Sequence, residues 1–364
     1  MSEEQVNKPA TKVSFCSSLA DDAWHDLGGP NAFENWHFDA VSDDGSEALV
    51  ISFYDNYVLS PRFHLASSGG NSNGGHVLTE RRFPAVSFVY SIDGKPVLNA
   101  VNEFSPAYFD AARDKPSLVL DRSGFRVERT EYGTGYMVTV DIATVRGRRI
   151  RAEMEWITIE ADLKPRNDEP YSAIWNIAVP RSDVSGKIML IGRRGKVRKL
   201  FQFRGSGYHD HVSSENVHYR DLQSRMWGRA HFVDSTVVFD RLGGVQDRKA
   251  SGTVFIIRDG RISEYSAACE ASEHRRDHWG LNVPRKIDLE SEGFFKLAVR
   301  PVSTVRSGFS DVKMLSEVKL DLKDGKTRKT VGLTEFVDPR RMRNPLFRWI
   351  SDLRIGKHGR SPMF

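Results

Sequence analysis

The pattern of apolar and polar positions predicts a chain made mainly of β-strands. Residues 151–159 and 318–322 alternate with period two, as strands do where one face of a sheet is buried. Asp-Gly pairs, which readily adopt the positive φ angles of tight hairpin turns, separate such runs at 93–94, 259–260 and 324–325. Further candidate strands lie at 48–54, 136–145, 173–179, 186–191, 235–240, 253–258, 295–300 and 330–336. Many short strands with little helical periodicity between them predict antiparallel barrels or sandwiches.

One amphipathic helix is predicted over residues 339–353. Asp338 can cap this helix, Pro339 can occupy its first position and Gly356 can end it. One face gathers Met342, Leu346, Trp349, Ile350 and Leu353, and the other carries Arg340, Arg341, Arg343 and Arg348. We expect the apolar face to dock against a barrel and the arginine face to be solvated. Contact of the arginines with an acidic surface or a membrane is the alternative.

Composition and charge exclude several classes of protein. Hydrophobic residues make up 39% of the 364 and charged residues 28%, which is ordinary for a globular protein and excludes a disordered chain. The longest apolar runs, such as 48–53, are far too short to span a bilayer, so stable membrane insertion is not expected. The net charge of +5 is small, and we take the positive excess to be distributed along the chain. No nucleic-acid partner is therefore expected.

Domain count and redox compartment follow from length and cysteine usage. A chain of this length predicts two domains, and we place the boundary within residues 180–186, giving 13–183 and 184–364 after a polar, disordered tail at 1–12. Cys16 and Cys269 stand alone, without the spacing of a disulfide framework or zinc ribbon. A reducing, cytoplasmic location is therefore expected.

The densest cluster of candidate chemistry is the segment Gly205-Ser-Gly-Tyr-His-Asp-His211. In an extended segment, His209 and His211 share one face, and Tyr208 and Asp210 share the other. By spacing alone, His209, His211 and Glu215 could bind a divalent metal, as in cupins, but Phe203 and Leu222 occupy the places of that family's outer glycines. Hydrogen bonding without a metal is the preferred interpretation.

A second cluster is Glu34-Asn-Trp-His-Phe-Asp-Ala40. Alternation places Glu34, Trp36 and Phe38 on one face of this strand. The other face carries Asn35, His37 and Asp39. A first strand with an aromatic core face explains the aromatic residues without any function. It does not explain Glu34, because a carboxylate on an aromatic face must find a donor or shift its pKa upward.

These segments resemble motifs of the carotenoid hydratase (hydroxyneurosporene synthase)-like, lipocalin-like family. Residues 34–40 are similar to its E-W-W-Y-F-D-A opening, residues 207–211 to its G-Y-H-D-H motif, and residues 227–229 to its later W-G-R. The resemblance implies two lipocalin-like β-domains with a pocket between or within them, and no metal or organic cofactor. It also implies one of two activities: bacterial carotenoid hydration, or a fungal pericyclase reaction of the Diels–Alder or hetero-Diels–Alder type.

The pericyclase interpretation is the one we expect, with an apolar small molecule from polyketide or terpenoid biosynthesis as substrate. The wall candidates are Trp36, Tyr54, Tyr208 and Trp227, and the hydrogen-bond donor candidates are His37, Asn56 and His211. Glu34 could act as general base or acid if dehydration precedes cyclisation. A hydratase or isomerase would instead need Asp210 or Glu34 held neutral by burial. A non-catalytic carrier would need only the apolar pocket.

Overall fold

The computed structural model describes residues 13–29, 31–67, 82–131, 133–144, 147–158, 160–167, 173–215, 224–242, 249–357 and 360–361. The tail predicted at 1–12 lies outside these residues. Within them the protein is mainly β, as predicted: a large curled sheet is followed by a closed barrel, with a few short helices.

The curled sheet contains thirteen strands among the described residues. Twelve come from the first part of the chain: β1 (Val13–Cys16), β2 (Phe33–Ser42), β3 (Glu47–Tyr54), β4 (Ala85–Ile92), β5 (Lys95–Glu103), β6 (Phe109–Ala111), β7 (Ser117–Leu120), β8 (Ser123–Thr130), β9 (Gly133–Thr144), β10 (Arg149–Thr158), β11 (Ala173–Ile191) and β12 (Val197–Ser214). Their order is β5-β4-β3-β2-β12-β11-β10-β9-β8-β7-β6, with β1 parallel to β11. The thirteenth is formed late in the chain, at Arg360–Ser361, parallel to β9.

The closed barrel has eight strands. They are β13 (Arg225–His231), β14 (Thr236–Leu242), β15 (Lys249–Arg258), β16 (Arg261–Ser272), β19 (Lys286–Ser291), β20 (Phe295–Ser307), β21 (Asp311–Asp321) and β22 (Thr327–Val337). A separate pair, β17 (Arg275–Arg276) and β18 (Asn282–Val283), lies between β16 and β19, and Arg360–Ser361 is β23. Two predicted Asp-Gly turns have positive φ at both residues, Asp93-Gly94 and Asp259-Gly260.

The helices differ from the prediction. A 3-10 helix at Pro339–Arg343 is capped by Asp338, and a separate helix, α2 (Pro345–Arg354), is capped by the Asn344 side chain. The sequence pattern suggested one continuous helix because Asn344-Pro345, a second cap and first-turn proline, was overlooked. A short helix, α1 (Pro61–Ser67), was not predicted, and two further 3-10 turns lie at Ala20–Asp22 and Pro106–Tyr108.

The expected burial of the C-terminal apolar face is wrong for most of its members. Met342 is buried, but Leu346, Trp349 and Leu353 are exposed. No described helix is long and apolar enough to cross a membrane. Helix α2 thus exposes three of its large apolar side chains.

Both faces of β2, β3 and β4 are covered. The concave face encloses a core that includes Trp36, Phe38, Phe125, Tyr136 and Trp156. The other face packs against the barrel through a second apolar cluster, in which Val41, Val50 and Val89 meet Leu315 and Leu333. These three strands therefore present one set of side chains to the sheet core and the alternate set to the barrel, whereas the alternate residues of β10 are exposed or half-buried.

The predicted boundary at 183/184 falls inside β11, and β12 continues the sheet to Ser214. Along the chain, the change from sheet to barrel comes between Ser214 and Arg225. The division into two domains stays a prediction. Cys16 and Cys269 are both buried free thiols, and burial raises the pKa of Cys16 to about 12.

Candidate functional site

Two adjacent strands, β2 and β12, hold both motif clusters. They pair antiparallel, with His211 opposite Trp36 and His209 opposite Phe38. As predicted, Glu34, Trp36 and Phe38 share the core face with His209 and His211. His37 and Asp39 share the barrel-facing side with Tyr208 and Asp210.

The close approach of these strands requires the glycines of the G-S-G-Y-H-D-H segment. A Cβ on Gly205 would lie 2.1 Å from the carbonyl oxygen of Val41, and one on Gly207 would lie 2.5 Å from Nε1 of Trp156. Any larger residue at either position would have to move β2 or the Trp156 indole. The two glycines therefore allow β12 to pack closely against β2. This packing fixes the strand register and, with it, the positions of His209 and His211.

On the core side, one oxygen of Glu34 holds two histidines. Glu34 Oε2 accepts hydrogen bonds from His25 Nδ1 at 2.9 Å, from the His25 backbone N–H at 3.1 Å and from His211 Nε2 at 3.0 Å. Glu34 and His211 are buried, and the His25 side chain is 18% exposed. Burial alone raises the pKa of Glu34, but the hydrogen bonds from His211 and His25 outweigh it and lower the pKa to about 2. Glu34 is thus an anion at neutral pH.

Asp22 extends this group further into the core. Its Oδ2 accepts from Tyr136 Oη at 2.6 Å and lies 3.0 Å from His209 Nε2. His209 Nδ1 donates to the backbone oxygen of His37 at 3.0 Å. Both ring nitrogens of His209 are therefore engaged, one by a backbone oxygen and one by the Asp22 carboxyl group.

Asp55 is a second carboxyl group beside Glu34, and its pKa is shifted in the opposite direction. Its Oδ1 accepts from the Glu34 backbone N–H at 2.6 Å, and the residue is buried. Burial, followed by repulsion from the Glu34 carboxylate, raises the pKa of Asp55 to about 8. Two neighbouring carboxyl groups thus have pKa values pushed far apart, which is how one site holds an acid and a base at the same pH.

We call Asp22, His25, Glu34, Asp55, His209 and His211 the inner cluster. Four of its buried atoms have no hydrogen-bond partner among the described residues: Asp22 Oδ1, Glu34 Oε1, Asp55 Oδ2 and His211 Nδ1. Two of them, Asp22 Oδ1 and His211 Nδ1, lie 3.7 Å apart. Buried polar atoms are nearly always paired, so this group is a candidate for binding a ligand or exchanging a proton.

Aromatic rings enclose the inner cluster. The His211 ring stacks between Trp36, at 4.4 Å, and His25, at 5.1 Å. Trp36 Nε1 donates to the backbone oxygen of Asp22, which fixes the indole. His25 is the member that reaches the surface, so it is the residue through which a molecule outside the core would meet the cluster.

The barrel-facing side of the same strands carries a second polar group. Asp39 accepts from Arg229 Nε at 2.7 Å and from Nη2 of the same residue, and His37 Nε2 lies 3.2 Å from Asp39. Burial raises the pKa of Asp39, but the Arg229 charge and the His37 hydrogen bond more than reverse this and lower it. Arg229 and Asp39 are buried, so this ion pair joins the sheet to the barrel away from solvent.

Neighbouring contacts complete what we call the interface layer. Asp210 Oδ2 accepts from Tyr208 Oη at 2.9 Å and from Trp175 Nε1 at 2.8 Å. Trp227 Nε1 donates to Glu335 at 3.0 Å, and Glu335 also pairs with Lys313. His37 meets the Trp227 ring edge to face at 5.3 Å.

The structure therefore divides the predicted site residues. Glu34, Trp36 and His211 come together in the inner cluster and its wall, and His37, Tyr208, Asp210 and Trp227 lie in the interface layer. Tyr54 packs against Tyr57 at 4.9 Å. The Asn56 side chain joins two backbone segments: its amide nitrogen donates to the Ala32 oxygen, and its amide oxygen accepts from the Phe83 N–H. The prediction of roles for these residues stays untested.

Sequence reasoning missed Asp22, His25, Asp55 and Arg229. Asp55 lies between two residues that were chosen, Tyr54 and Asn56, and Arg229 ends the quoted W-G-R motif. His25 and Asp22 lie before the first motif, in a segment without periodicity. Only the fold brings them to Glu34.

The residues best placed to bind a metal differ from those that spacing suggested. His25, Glu34 and His211 each offer a ligand atom, all within 4.8 Å of one another. Glu215 is exposed and is not part of this group. The three side chains already hydrogen-bond to one another, and metal binding stays untested.

Comparisons with known proteins identify relatives along nearly the whole chain. No protein-family model matches. The chain is 23% identical over 367 residues to hydroxyneurosporene dehydrogenase from Chlorobaculum tepidum, an alignment that covers 96% of this chain and 93% of that relative. The chain is similar to the hydroxyneurosporene dehydrogenase and AttH-like family. The resemblance inferred from the motifs is thus confirmed.

Solved structures share the fold. AttH from Nitrosomonas europaea matches with a TM-score of 0.58 and 13% identity, over 87% of this chain and 95% of that one. CghA matches with a TM-score of 0.52 and 14% identity, over 85% and 88% of the two chains. CghA has also been crystallised with the small molecule Sch210972, and that structure matches with a TM-score of 0.50 and 15% identity over 85% and 89% of the chains.

Proposed function

We propose that the protein is an enzyme that catalyses a stereoselective [4+2] cycloaddition, of the Diels–Alder or hetero-Diels–Alder type, on an apolar small molecule. The observation that carries the proposal is the inner cluster, in which one anionic carboxylate oxygen holds two histidines within an aromatic core. Such a cluster can remove or return a proton beside apolar walls. A cycloaddition that begins with formation of a reactive diene needs both properties.

His25 is the residue proposed to exchange a proton with the substrate. Its Nδ1 donates to the Glu34 anion, which leaves Nε2 as a base and stabilises the imidazolium after Nε2 is protonated. Glu34 and His211 position that ring, because Glu34 binds it and His211 stacks on it at 5.1 Å. Asp55, neutral below pH 8, is the proposed acid of the cluster.

A dehydration preceding cyclisation balances with these groups. His25 Nε2 takes a proton from a substrate O–H, the substrate's carbon–oxygen bond breaks, and the departing hydroxyl takes the Asp55 proton and leaves as water. The imidazolium and carboxylate that result exchange the proton back. The conjugated product, for instance a quinone methide, then undergoes cycloaddition without a covalent intermediate.

The substrate class is supported by the surroundings and by relatives. Trp36, which stacks on His211 beside the inner cluster, is the aromatic surface that we assign to positioning the substrate. CghA was crystallised with a small molecule, and another relative is named for hydroxyneurosporene. Both names agree with a small organic ligand for this chain.

The test uses an ortho-hydroxybenzyl alcohol with a tethered alkene, which loses water to a quinone methide and cyclises. Glu34→Gln keeps the shape of the side chain and removes the anion, so turnover is expected to fall by roughly 10²–10³-fold while ligand binding is retained. His37→Gln, on the opposite face of the same strand, is the matched control and is expected to stay within about threefold. Equal losses in the two variants would contradict the assignment, and unchanged turnover in Glu34→Gln would exclude Glu34 from the reaction. Ligand binding without any turnover by the wild type would leave a carrier as the better description.

Hydration of an alkene is the second candidate. It is the other activity that the motif resemblance implies, and it is favoured by Asp55, a carboxyl group that burial keeps neutral and that could supply the proton. In deuterated water a hydratase places deuterium on a product carbon, whereas dehydration at oxygen followed by cycloaddition does not. Mass spectrometry of the product distinguishes the two.

A further inference from the structure

Helix α2 exposes three large apolar side chains, although Phe347 on its other side packs against Phe309. Leu346, Trp349 and Leu353, at positions i, i+3 and i+7, are 56%, 61% and 55% exposed. The protein-facing side carries Ser351 and Arg354, which line a small cavity of about 50 Å³ beneath the helix. A helix resting on a soluble core normally buries its apolar stripe and exposes its charges.

Specific contacts hold α2 and the preceding 3-10 helix in this orientation. The Arg354 guanidinium lies over the rings of Trp279, at 5.2 Å, and Phe309, at 5.5 Å. Arg341, in the 3-10 helix, donates to the backbone oxygens of the same two residues and lies 4.7 Å from the Phe347 ring. Arginines are thus used to fasten this region to the barrel. The outward apolar stripe is a built feature of the fold.

A second helix enlarges the stripe. Helix α1 contacts α2, and its Leu65 is 55% exposed. We call Leu65, Leu346, Trp349 and Leu353 the helical patch. Contiguous exposed apolar residues on a folded protein mark a surface that another apolar phase covers.

The charge around the helical patch identifies the kind of partner. Residues 338–357 contain six Lys or Arg and two Asp, a net charge of +4 in twenty residues. The chain's positive charge is therefore gathered locally, contrary to the expectation of an even spread, and Arg193 to Lys199 form another basic segment. Two copies of the chain joined through α2 would bring like charges together, whereas an anionic surface would neutralise them.

We propose that the helical patch docks on the surface of an anionic lipid bilayer, with α2 lying in the plane of the interface. Leu and Trp side chains enter the boundary between headgroups and acyl chains, and the net positive charge of residues 338–357 attracts lipid phosphates. A ten-residue helix is too short to span, so the contact is peripheral and reversible. Docking goes beyond the proposed reaction and does not depend on it.

The test is co-sedimentation of the full chain with vesicles of phosphatidylcholine and phosphatidylglycerol in equal parts, beside vesicles of phosphatidylcholine alone. The wild-type protein is expected to bind the anionic vesicles, more weakly at high salt, and to bind the neutral ones poorly. The triple variant Leu346→Ser/Trp349→Ser/Leu353→Ser is expected to lose about tenfold or more of that binding. The matched control, Val233→Ser/Phe294→Ser, removes two exposed apolar residues of the barrel turns and is expected to bind like the wild type.

Two more measurements make the outcome decisive. Vesicles should shift tryptophan emission to shorter wavelength, and Trp349→Phe should lose most of that shift while still binding. Lys196→Glu/Arg198→Glu, in the other basic segment, should retain most binding. Full binding by the triple variant, dependence on Lys196 and Arg198 alone, or no wild-type binding would each overturn the proposal. A wild-type dimer that the triple variant converts to a monomer would assign the helical patch to a second copy instead.

Discussion

Two groups of buried carboxylates lie on opposite faces of β2 and β12, and their partners differ in kind. In the interface layer, Asp39 pairs with Arg229 and Glu335 pairs with Lys313. In the inner cluster, Glu34 and Asp22 are held by histidines and a tyrosine. Arginine and lysine keep their charge at any physiological pH, whereas histidine can gain or lose a proton.

The difference separates attachment from chemistry. A carboxylate matched by a permanent cation is fixed in one ionisation state, and it joins the sheet to the barrel. A carboxylate matched by histidines sits in a group whose protons can move, and that group also contains the unpaired buried atoms. The following predictions test this contrast, beginning with the largest expected effect.

Removing the permanent cation should cost the most stability. Arg229→Met leaves the buried Asp39 without its main partner, so the free energy of unfolding is expected to fall by about 3–5 kcal/mol. Urea denaturation followed by circular dichroism measures the loss. The double variant Asp39→Asn/Arg229→Met buries no unpaired charge and should recover most of it. A loss below about 1 kcal/mol in the single variant would show that the pair is not structural.

The Glu34 anion should stabilise the fold in a pH-dependent way. Its pKa is lowered from 4.5 to about 2, so its contribution is present above pH 4.5 and is lost as the pH falls towards 2. Relative to Glu34→Gln, the wild type is expected to lose about 3 kcal/mol of unfolding free energy across that range. Denaturation curves at a series of pH values measure it. A constant difference between the two proteins would contradict histidine stabilisation of the anion.

Asp55 should act with the opposite sign. Its pKa is raised from 3.8 to about 8, so the stabilisation from the neutral form is complete below pH 3.8 and is lost as the pH rises from there to about 8. Asp55→Asn mimics the neutral form at every pH. We expect it to exceed the wild type by about 1–3 kcal/mol at roughly pH 9, with the advantage shrinking towards pH 4. An advantage that grows on acidification would refute the assignment.

The fold class and about half of the site residues could be predicted from the sequence, because both depend on the alternation of side chains along β-strands. Alternation fixes which residues share a face, so the grouping of Glu34 with Trp36 and of His209 with His211 followed from β-strand geometry. The residues that reach Glu34 and His209 from other segments could not be predicted this way, because Asp22 ends a 3-10 turn and His25 lies in irregular backbone. The division into inner cluster and interface layer was also hidden, since the sequence does not say that both sheet faces are covered.

The smallest expected effect compares one tryptophan from each region. Trp36 stacks on His211 at 4.4 Å, whereas Trp227 packs against His37 and Tyr208 in the interface layer. If cyclisation occurs beside the inner cluster, Trp36→Phe reshapes the wall and should change the ratio of product diastereomers by a few-fold, about 1 kcal/mol of discrimination. Trp227→Phe removes its bond to Glu335 and should leave the ratio unchanged. Chromatography of the tethered-alkene product measures both ratios, with folding checked by circular dichroism. A changed ratio in Trp227→Phe alone would move the reacting molecule to the interface layer, because a wall can select between product shapes only where the substrate touches it.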